Sequence, residues 1–327
     1  MTRAFITGIT GQDGGYLAEQ LVAEGIVVHG LARALDNDTA RDLLSRAPGV
    51  VLHQGDLGDA DYLGQLIADV RPDEIYNLGG ISSVAYSWQE PVLTARLSGL
   101  AAAVVLGAAW KLQEDSGRRV TCLQASSAEI FGHAAGSPQD ESTPVRPVSP
   151  YGAAKAYAHH MAGVYRGRGL HVATCIFFNH ESPRRPHAFV TRKITDAAAR
   201  IGAEGSGVIH LGNLDVRRDW GWAPDYVDAM VRAIRHDIAT DYVIATGQTH
   251  TVAEFAEAAL RRAGLGDGWR DHIEVDAEFL RPAEAPDLVG DATKAHRELG
   301  WESTVGFEEL VGRMVANDME LLQRSRG

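Results

Sequence analysis

A glycine-rich turn directly behind the first apolar segment constrains the fold of this chain more than any other feature. Gly8, Gly11 and Gly14 lie in "RAFITGITGQDGGYLAEQL", between a strand-like run and a helix-like run. Glycine allows a tight turn and the close approach of a pyrophosphate, whose charge then lies at the N-terminus of the helix. The turn therefore predicts a dinucleotide site. A turn of the same composition without a ligand is the alternative.

Behind this turn, short apolar runs alternate with helix-period segments as far as residue 179. Such alternation is typical of a parallel sheet covered by helices on both faces. The segment "DYVIATG" at 241–247 is expected to rejoin that sheet. We predict an α/β fold: a Rossmann-type doubly wound parallel sheet with a smaller C-terminal α/β substrate domain. The first domain would comprise 1–178 with 215–248, and the second 179–214 with 249–327.

Composition and charge limit the partners. The 327 residues include 31 basic and 43 acidic side chains, a net charge of −12, which disfavours nucleic acid and anionic membranes. The longest uncharged apolar run, 97–110, is shorter than a bilayer span, and the N-terminus is typical of a strand, not of a signal peptide. Cys122 and Cys175 lie in apolar runs and are expected to be buried free thiols. These features predict a cytoplasmic protein.

The ends of the later strands indicate which dinucleotide binds. An Asp or Glu at the end of the second strand would hold a ribose 2′-hydroxyl. This strand ends in Ala32 and Arg33, and a cation there favours a 2′-phosphate, so we predict NADP. Asp36 and Asp38 follow closely, which leaves NAD as the alternative. The strand ends "GDL" and "NLGG" are assigned to the adenine and nicotinamide sides.

A tyrosine and a lysine stand at a spacing suited to catalysis. Tyr151 and Lys155 lie four residues apart in "SPYGAAK", so they share one face of a helix. A neighbouring ammonium lowers the pKa of a phenol and makes it a usable base. Ser127, which ends the preceding strand, could hydrogen-bond the hydroxyl that is oxidised. The three residues predict hydride transfer from a secondary alcohol to nicotinamide. A chance surface pair is the alternative.

Glu129, in "LQASSAEIFG", has no task in such an oxidation. It lies two residues beyond Ser127, where it can face the same cavity. A new ketone acidifies the adjacent C–H, so a carboxylate can remove that proton and a β-hydroxyl is then lost. Return of the hydride to the alkene completes a dehydratase cycle without net consumption of cofactor. A helix cap or an ion pair is the alternative role for Glu129.

These motifs resemble those of the extended short-chain dehydrogenases/reductases, and most closely the GDP-mannose 4,6-dehydratase family. The resemblance runs nearly end to end, and its most specific parts are "FNHESPRR", "FVTRKIT" and "LGNLDVRRDWG". It implies an NADP-dependent lyase that converts GDP-mannose to GDP-4-keto-6-deoxymannose. In that mechanism Tyr151 removes the C4 hydroxyl proton and Glu129 the C5 proton. Water leaves from C6, and the hydride returns to C6.

The resemblance also assigns site residues at matching positions. The implied catalytic residues are Ser127, Glu129, Tyr151 and Lys155. The predicted cofactor-binding residues are Gly8, Gly11, Gln12, Asp13, Gly14, Arg33, Asp56, Leu57, Leu78, Gly79, Gly80, Ser82, Tyr151, Lys155, His180 and Arg185. The predicted substrate-binding residues are Ser83, Glu129, Asn179, Val190, Lys193, Arg218, Arg281 and Glu284. No metal is predicted.

Several positions depart from the family pattern. Ile81 and Ser83 occupy positions near the expected sugar, Trp222 follows "RDWG", and Leu93 replaces a usual tyrosine. The polar-to-apolar change at Ile81 and the bulk of Trp222 keep open a sugar other than plain mannose. The segment behind Arg33 is short. Because that segment contributes to tetramer assembly in the family, we predict a homodimer, with a tetramer as the alternative.

Other functions remain open at this point. A related enzyme would be a 4,6-dehydratase of another nucleotide-sugar, such as a GDP-heptose, or a 4-epimerase or 4-reductase. A simple epimerase or reductase needs no carboxylate aimed at C5, so Glu129 favours the dehydratase. The remaining possibility is a catalytically inactive, NADP-binding regulator, against which the intact Tyr151 and Lys155 argue.

Overall fold

The structure is a computed structural model that describes residues 1–134, 136–279 and 287–326. Two of the predicted substrate-binding residues, Arg281 and Glu284, lie outside the described residues.

The described residues form fourteen strands and twelve α-helices. The strands are β1 (Arg3–Thr7), β2 (Val27–Ala32), β3 (Val51–Gln54), β4 (Glu74–Asn77), β5 (Thr121–Ser127), β6 (His171–Phe177), β7 (Asn179–Glu181), β8 (Ile209–Leu211), β9 (Arg217–Arg218), β10 (Trp220–Trp222), β11 (Asp241–Ile244), β12 (His250–Thr251), β13 (Ile273–Val275) and β14 (Asp287–Leu288).

The helices are α1 (Gln12–Ala23), α2 (Asp38–Arg46), α3 (Ala60–Val70), α4 (Val84–Gln89), α5 (Pro91–Thr94), α6 (Ala101–Ser116), α7 (Pro150–Gly167), α8 (Val190–Glu204), α9 (Ala223–Arg235), α10 (Val252–Arg262), α11 (Thr293–Leu299) and α12 (Phe307–Arg326). A π-helical turn, Ala95–Leu100, joins α5 to α6.

Among the described residues, seven parallel strands form the central sheet in the order β11-β6-β5-β4-β1-β2-β3. The strand order reverses beside β1, as in a doubly wound sheet. This confirms the predicted fold class and the return of the 241–247 segment to the sheet.

Side chains alternate between the two faces of the sheet because successive residues of a strand point in opposite directions. On β1, Ala4 and Ile6 belong to the core that lies under α1 and α9, whereas Phe5 belongs to the core under α3 and α6. Both cysteines are buried in these cores as free thiols. The sheet is therefore covered on both sides, and its strand ends hold the functional groups.

A second core lies among α8, α10 and α12. Trp220, Phe255 and Leu310 are buried there, and Thr251 with Glu254 forms a capping box at the start of α10. The two-domain division remains a proposal. The segment that contains Trp301 packs instead on the core under α1 and α9. Trp301 is buried there and donates its indole N–H to the carbonyl oxygen of Asp225.

The apolar helical stretch is longer than the uncharged run in the sequence, because it begins at Pro91 and ends at Ser116. By length and composition alone these 26 residues could cross a membrane. Here the stretch packs onto α3 and α7, and the Arg96 guanidinium donates to the Gly58 carbonyl oxygen. Less than half of its most apolar window is buried, so one face of the stretch lies outward.

Candidate active site

The turn between β1 and α1 is a cradle built from backbone. Gly8 has a φ of 71°, and Gly11 is the N-cap of α1. A Cβ on Gly14 would lie 2.4 Å from the Gly8 carbonyl oxygen, and a Cβ on Gly8 would lie 2.9 Å from the Gly79 backbone. The loops behind β1 and β4 are thus in direct backbone contact, which only glycine permits. Backbone N–H groups in the first turn of a helix form an anion site. Those of α1 lie at the cradle, so the cradle fits a dinucleotide pyrophosphate.

The predicted residues behind β3 and β4 surround this cradle. Thr7 Oγ1 accepts a hydrogen bond from the Gly79 N–H at 2.9 Å. Asp56 Oδ1 accepts one from the Gly58 N–H at 2.6 Å and thereby shapes the "GDL" turn. The side chain of Leu57 would contact any Cβ on Gly79, so it lies against that loop. Thr7 and Gly79 thus lie at the ends of β1 and β4, between which the sheet order reverses.

Other predicted cofactor residues lie further out. Leu78 packs against the core under α1 and α9, and a Cβ on Gly80 would lie 2.8 Å from Ser98 Oγ. Ser82 is exposed. Arg33 is exposed directly behind β2, and its carbonyl oxygen accepts a bond from Gln54.

His180 and Asp13 form a buried ion pair beside the cradle. The His180 Nδ1–H donates to the Phe178 carbonyl oxygen at 2.8 Å, and Nε2 lies 2.9 Å from Asp13 Oδ2. Both ring nitrogens face acceptors, so the ring is an imidazolium. Burial opposes both charges, but the pair lowers the pKa of Asp13 to about 2 and raises the pKa of His180. Tyr226 stacks on the His180 ring with centroids 4.5 Å apart.

Arg185 is held by two neighbours that its sequence position did not reveal. Its Nε lies 3.1 Å from the Glu181 carboxylate, and its guanidinium lies 3.7 Å from the centre of the Phe189 ring. Burial raises the pKa of Glu181, against the effect of Arg185. Gln12 joins the two loops, because its amide donates to the His180 carbonyl oxygen and accepts from the Ser182 hydroxyl.

Tyr151 and Lys155 lie on the first turns of α7. Ser149 caps this helix by accepting from the Gly152 N–H, and Pro150 occupies its first position. The Lys155 ammonium donates to the Ala125 carbonyl oxygen at 3.0 Å. Both side chains are buried. Burial lowers the pKa of Lys155 to about 8, although the charge of Asp13 opposes that change.

Ser127 and Glu129 meet Tyr151 from the end of β5. Burial outweighs the lowering expected from the neighbouring ammonium and raises the pKa of Tyr151 to about 12; a hydrogen bond from Ser127 lowers the pKa, and the negative charge of Glu129 raises it. Ser127 Oγ also accepts from the Glu129 N–H at 3.3 Å. A Cβ on Gly152 would lie 2.5 Å from the Glu129 carbonyl oxygen, so α7 packs directly on this turn. The structure therefore brings the four predicted catalytic residues together.

Ser87 is a residue of this site that sequence reasoning missed. It is fully buried on α4, and its hydroxyl accepts from the Tyr151 N–H at 3.2 Å while donating to the Val84 carbonyl oxygen. The contact holds the start of α7 against α4. A serine within "AYSWQ" carries no pattern that distinguishes it from a surface helix residue, so no sequence signal could have found it.

The predicted substrate-binding residues lie on the adjoining elements. Asn179 begins β7, and Val190 and Lys193 occupy the start of α8. The Lys193 ammonium donates to the His210 carbonyl oxygen at 2.6 Å and lies 3.5 Å from the centre of the Phe279 ring. Arg218 is buried on β9.

Two departures from the family pattern receive structural explanations. Ser83 is the N-cap of α4, where its hydroxyl accepts from the Tyr86 N–H. Trp222 packs against the second core, and its ring lies 4.9 Å from the Arg313 guanidinium of α12. The bulk of Trp222 is therefore explained by packing between β10 and α12. Ile81 is half-buried, and its N–H donates to Ser98 Oγ.

Comparison with known proteins identifies the family. The chain matches the family model described as GDP-mannose 4,6 dehydratase over residues 5–314. The chain belongs to the GDP-mannose 4,6-dehydratase family. It is 44% identical over 333 residues to GDP-mannose 4,6 dehydratase 1 of Arabidopsis thaliana, covering 99% of this chain and 91% of that protein. This confirms the resemblance that the sequence motifs indicated.

Solved structures of other proteins show the same fold as this chain. The UDP-glucose 4-epimerase of Thermus thermophilus, in complex with NAD, superposes with a TM-score of 0.83 at 26% identity and covers 97% of this chain and 99% of its own. RMD from Pseudomonas aeruginosa, complexed with NADPH, gives a TM-score of 0.79 at 24% identity, covering 98% of this chain and 100% of its own. This chain and these neighbours share one Rossmann-type architecture.

Proposed function

We propose that the protein is a GDP-mannose 4,6-dehydratase, which converts GDP-mannose to GDP-4-keto-6-deoxymannose. The observation that carries the proposal is the position of Glu129, whose charge acts on Tyr151 while Ser127 bonds the same phenol. An oxidation alone needs a phenol, an ammonium and a hydroxyl. The added carboxylate supplies the base that an elimination next to a ketone requires.

Each residue has a role in this cycle. Tyr151 acts as the phenolate, which the Lys155 ammonium stabilises electrostatically, and takes the proton of the C4 hydroxyl to become the neutral phenol. Ser127 holds the C4 oxygen by a hydrogen bond. Glu129 then removes the C5 proton, and the C6 hydroxyl leaves as water. Because Glu129 and Tyr151 repel each other when both are charged, their proton transfers are coupled.

The cradle at the start of α1 fits a nicotinamide dinucleotide, because Gly8, Gly14 and Gly79 allow the close packing of the turns behind β1 and β4 at the N-terminus of α1, where such folds bind a pyrophosphate. Bound there, the cofactor supplies the acceptor and donor of the hydride. The chain orients it: Asp13 and His180 fix the loop beside the cradle, and Arg185 adds a cation.

NADP is the dinucleotide that this site is proposed to prefer. The exposed guanidinium of Arg33 lies at the end of β2, and the position that would hold a ribose hydroxyl carries no acid. The test is the ratio of Kd values for NADP and NAD, measured by calorimetry. Arg33→Ala should lower the preference for NADP by about tenfold and leave NAD affinity unchanged, since one charge-assisted phosphate contact is lost. Equal Kd values for the two dinucleotides in the wild-type protein would contradict the proposal.

The direct test of the substrate is incubation of the purified protein with GDP-mannose and NADP, followed by mass spectrometry. The expected product has lost one water, with no net gain in reduced-nicotinamide absorbance. An unchanged GDP-mannose in a protein that still binds NADP would overturn the substrate assignment. A product with reversed C4 configuration and no loss of water would establish an epimerase instead.

A homodimer is proposed on the basis of one apolar surface. Val92, Leu100, Tyr157 and Val164 are 41–81% exposed on the stretch from α5 to α6 and on the adjacent α7. Large apolar groups gathered on neighbouring helices mark an association surface. A second copy of the chain is the proposed occupant, and its packing would cover the outward face of the Pro91–Ser116 stretch.

Light scattering of the purified protein tests the dimer. Val164→Asp should produce a monomer, because a carboxylate would be buried at the contact. Ile238→Asp is the matched control, since Ile238 is 67% exposed behind α9 and lies outside this surface. A wild-type monomer, or the same effect from both variants, would contradict the assignment.

A further inference from the structure

A row of buried polar side chains crosses the carboxyl ends of three central strands. Thr7 on β1 lies opposite Asn77 on β4, which in turn lies opposite Gln124 on β5. Their exposed fractions are 0%, 5% and 2%. Because the strands are parallel and in register, the three side chains are direct neighbours across the sheet. Valine or isoleucine would normally fill such positions.

The hydrogen bonds along this row all run in one direction. The Thr7 hydroxyl donates to Asn77 Oδ1 at 2.7 Å, and Asn77 Nδ2 donates to Gln124 Oε1 at 2.8 Å. Gln124 Nε2 then donates to the Ala125 carbonyl oxygen at 2.9 Å. If the Gln124 carboxamide were rotated by 180°, its NH2 group would face the NH2 group of Asn77. The hydrogen bonds of the row therefore fix the orientation of the carboxamide. Bonds that run in series also polarise one another.

Both ends of the row are functional. At one end, Thr7 accepts from the N–H of Gly79, whose backbone contacts the glycine cradle. At the other end, the Ala125 carbonyl oxygen that receives Gln124 also receives the Lys155 ammonium at 3.0 Å. The pairing of β4 with β5 ends at Asn77 and Gln124, one residue before this carbonyl. The row therefore connects the cofactor loop to the anchor of the catalytic ammonium.

We propose that Gln124 is a positioning residue for Lys155: held by Asn77 and Thr7, it fixes the Ala125 carbonyl oxygen on which the Lys155 ammonium rests. Buried carboxamides are costly unless every donor and acceptor is used, and here the last donor is used on that carbonyl. The inference rests on the proposed function only in that Lys155 supports Tyr151 as the base. Gln124 itself lies beneath the site and touches neither substrate nor cofactor in this role.

The variant that tests this role is Gln124→Met, which keeps the length of the side chain and removes the donor to Ala125. A displaced ammonium stabilises the Tyr151 phenolate less, so the Tyr151 titration moves to higher pH. The expected displacement is about one pH unit, the size of one charge-assisted contact. It is measured as phenolate absorbance with saturating NADP⁺, each protein being compared with its own Tyr151→Phe partner. The acid limb of the kcat–pH profile should move equally.

Thr174→Val is the matched control. Thr174 lies opposite Gln124 on β6, is fully buried, and its hydroxyl accepts from Arg166 instead of taking part in the row. The Thr174→Val substitution removes one buried polar group at the register position of Gln124, without changing a contact of Ala125. A general loosening of the sheet would move the Tyr151 titration in both variants, whereas a positioning role moves it in the Gln124 variant alone.

A second variant, Gln124→Leu, covers the case in which Gln124→Met does not fold. Its side chain is uncharged and has no donor for Ala125, so the same upward displacement is expected. A Tyr151 titration unchanged from wild type in the folded variants, or an equal displacement in Thr174→Val, would overturn the inference. The absorbance titration needs no turnover. It therefore decides this inference even if GDP-mannose proves not to be the substrate, which the mass-spectrometric test establishes separately.

Discussion

Asp13 and His180 lie 167 residues apart in the sequence, and their side chains meet at 2.9 Å beside the glycine cradle. The carboxylate follows β1 and the imidazolium lies on β7. The pair therefore joins the first loop of the sheet to β7, the strand at which the predicted substrate domain begins. Its electrostatics give the protein a defined pH dependence.

The stability contributed by this pair should be greatest near pH 5–6. The pKa of Asp13 is lowered to about 2, so its share is present above pH 4 and is lost as the pH falls toward 2. The pKa of His180 is raised, so its share is complete below pH 6.5 and is lost as the pH rises through the folded value. Asp13→Asn should lower the free energy of unfolding by about 2 kcal/mol at pH 5–6, and by less at either extreme. Urea unfolding across pH measures this.

Asp38→Asn is the control for that series, because Asp38 is an almost fully exposed carboxylate on α2. Its difference from wild type should be small and flat across pH. An Asp13→Asn difference that is equally flat would contradict the ion pair.

Two adjacent glycines in α1 should respond oppositely to alanine. In Gly14→Ala the new Cβ would lie 2.4 Å from the Gly8 carbonyl oxygen, so the cradle must open and NADP affinity should fall more than tenfold. In Gly15→Ala the nearest atom is the far end of Arg184 at 3.6 Å, so binding should be retained with a gain in helix stability of about 1 kcal/mol. Calorimetric titration with NADP compares them. Equal losses of affinity would count against the cradle.

A buried ion pair holds α12 against α8. Arg192 and Asp318 are in contact and are 3% and 1% exposed, and burial raises the pKa of Asp318. Arg192→Met should lower the free energy of unfolding by about 3–5 kcal/mol, because it leaves a buried carboxylate without its cation. Arg200→Met, on the same helix, breaks the exposed pair with Asp196 and should cost less than about 1 kcal/mol. Similar losses of the free energy of unfolding in the two variants, measured by urea unfolding, would contradict the difference between the buried and the exposed ion pair.

The sequence predicted the parts of the site that depend on local spacing. Tyr151 and Lys155 needed only a helix, and the glycines needed only a strand followed by a helix, so both were visible without coordinates. The strand at 241–247 was recognised as a buried apolar run. Glu129 is indicated by its spacing alone, because it lies two residues beyond Ser127 and has no task in a simple oxidation.

Contacts between distant segments were not visible. The bond between Ser87 and the Tyr151 N–H depends on how α4 packs against α7. The bulk of Trp222 suggested a contact with the sugar, but its ring lies on Arg313 because β10 packs under α12. The uncharged run at 97–110 marks only part of a helical stretch that begins at Pro91, because proline is compatible with a first helical turn. In each case tertiary packing decided what spacing left open.

The measurement that tests the central claim most directly is turnover of GDP-mannose in D₂O by wild type and Glu129→Gln, followed by NMR and nicotinamide absorbance. The account predicts that wild type eliminates water with deuterium entering at C5. Glu129→Gln should lose elimination by at least about a hundredfold, the usual contribution of a general base, while still oxidising C4, so that reduced cofactor accumulates. Tyr151→Phe should lose both steps. Elimination and C5 deuteration at the wild-type rate in Glu129→Gln would contradict the account.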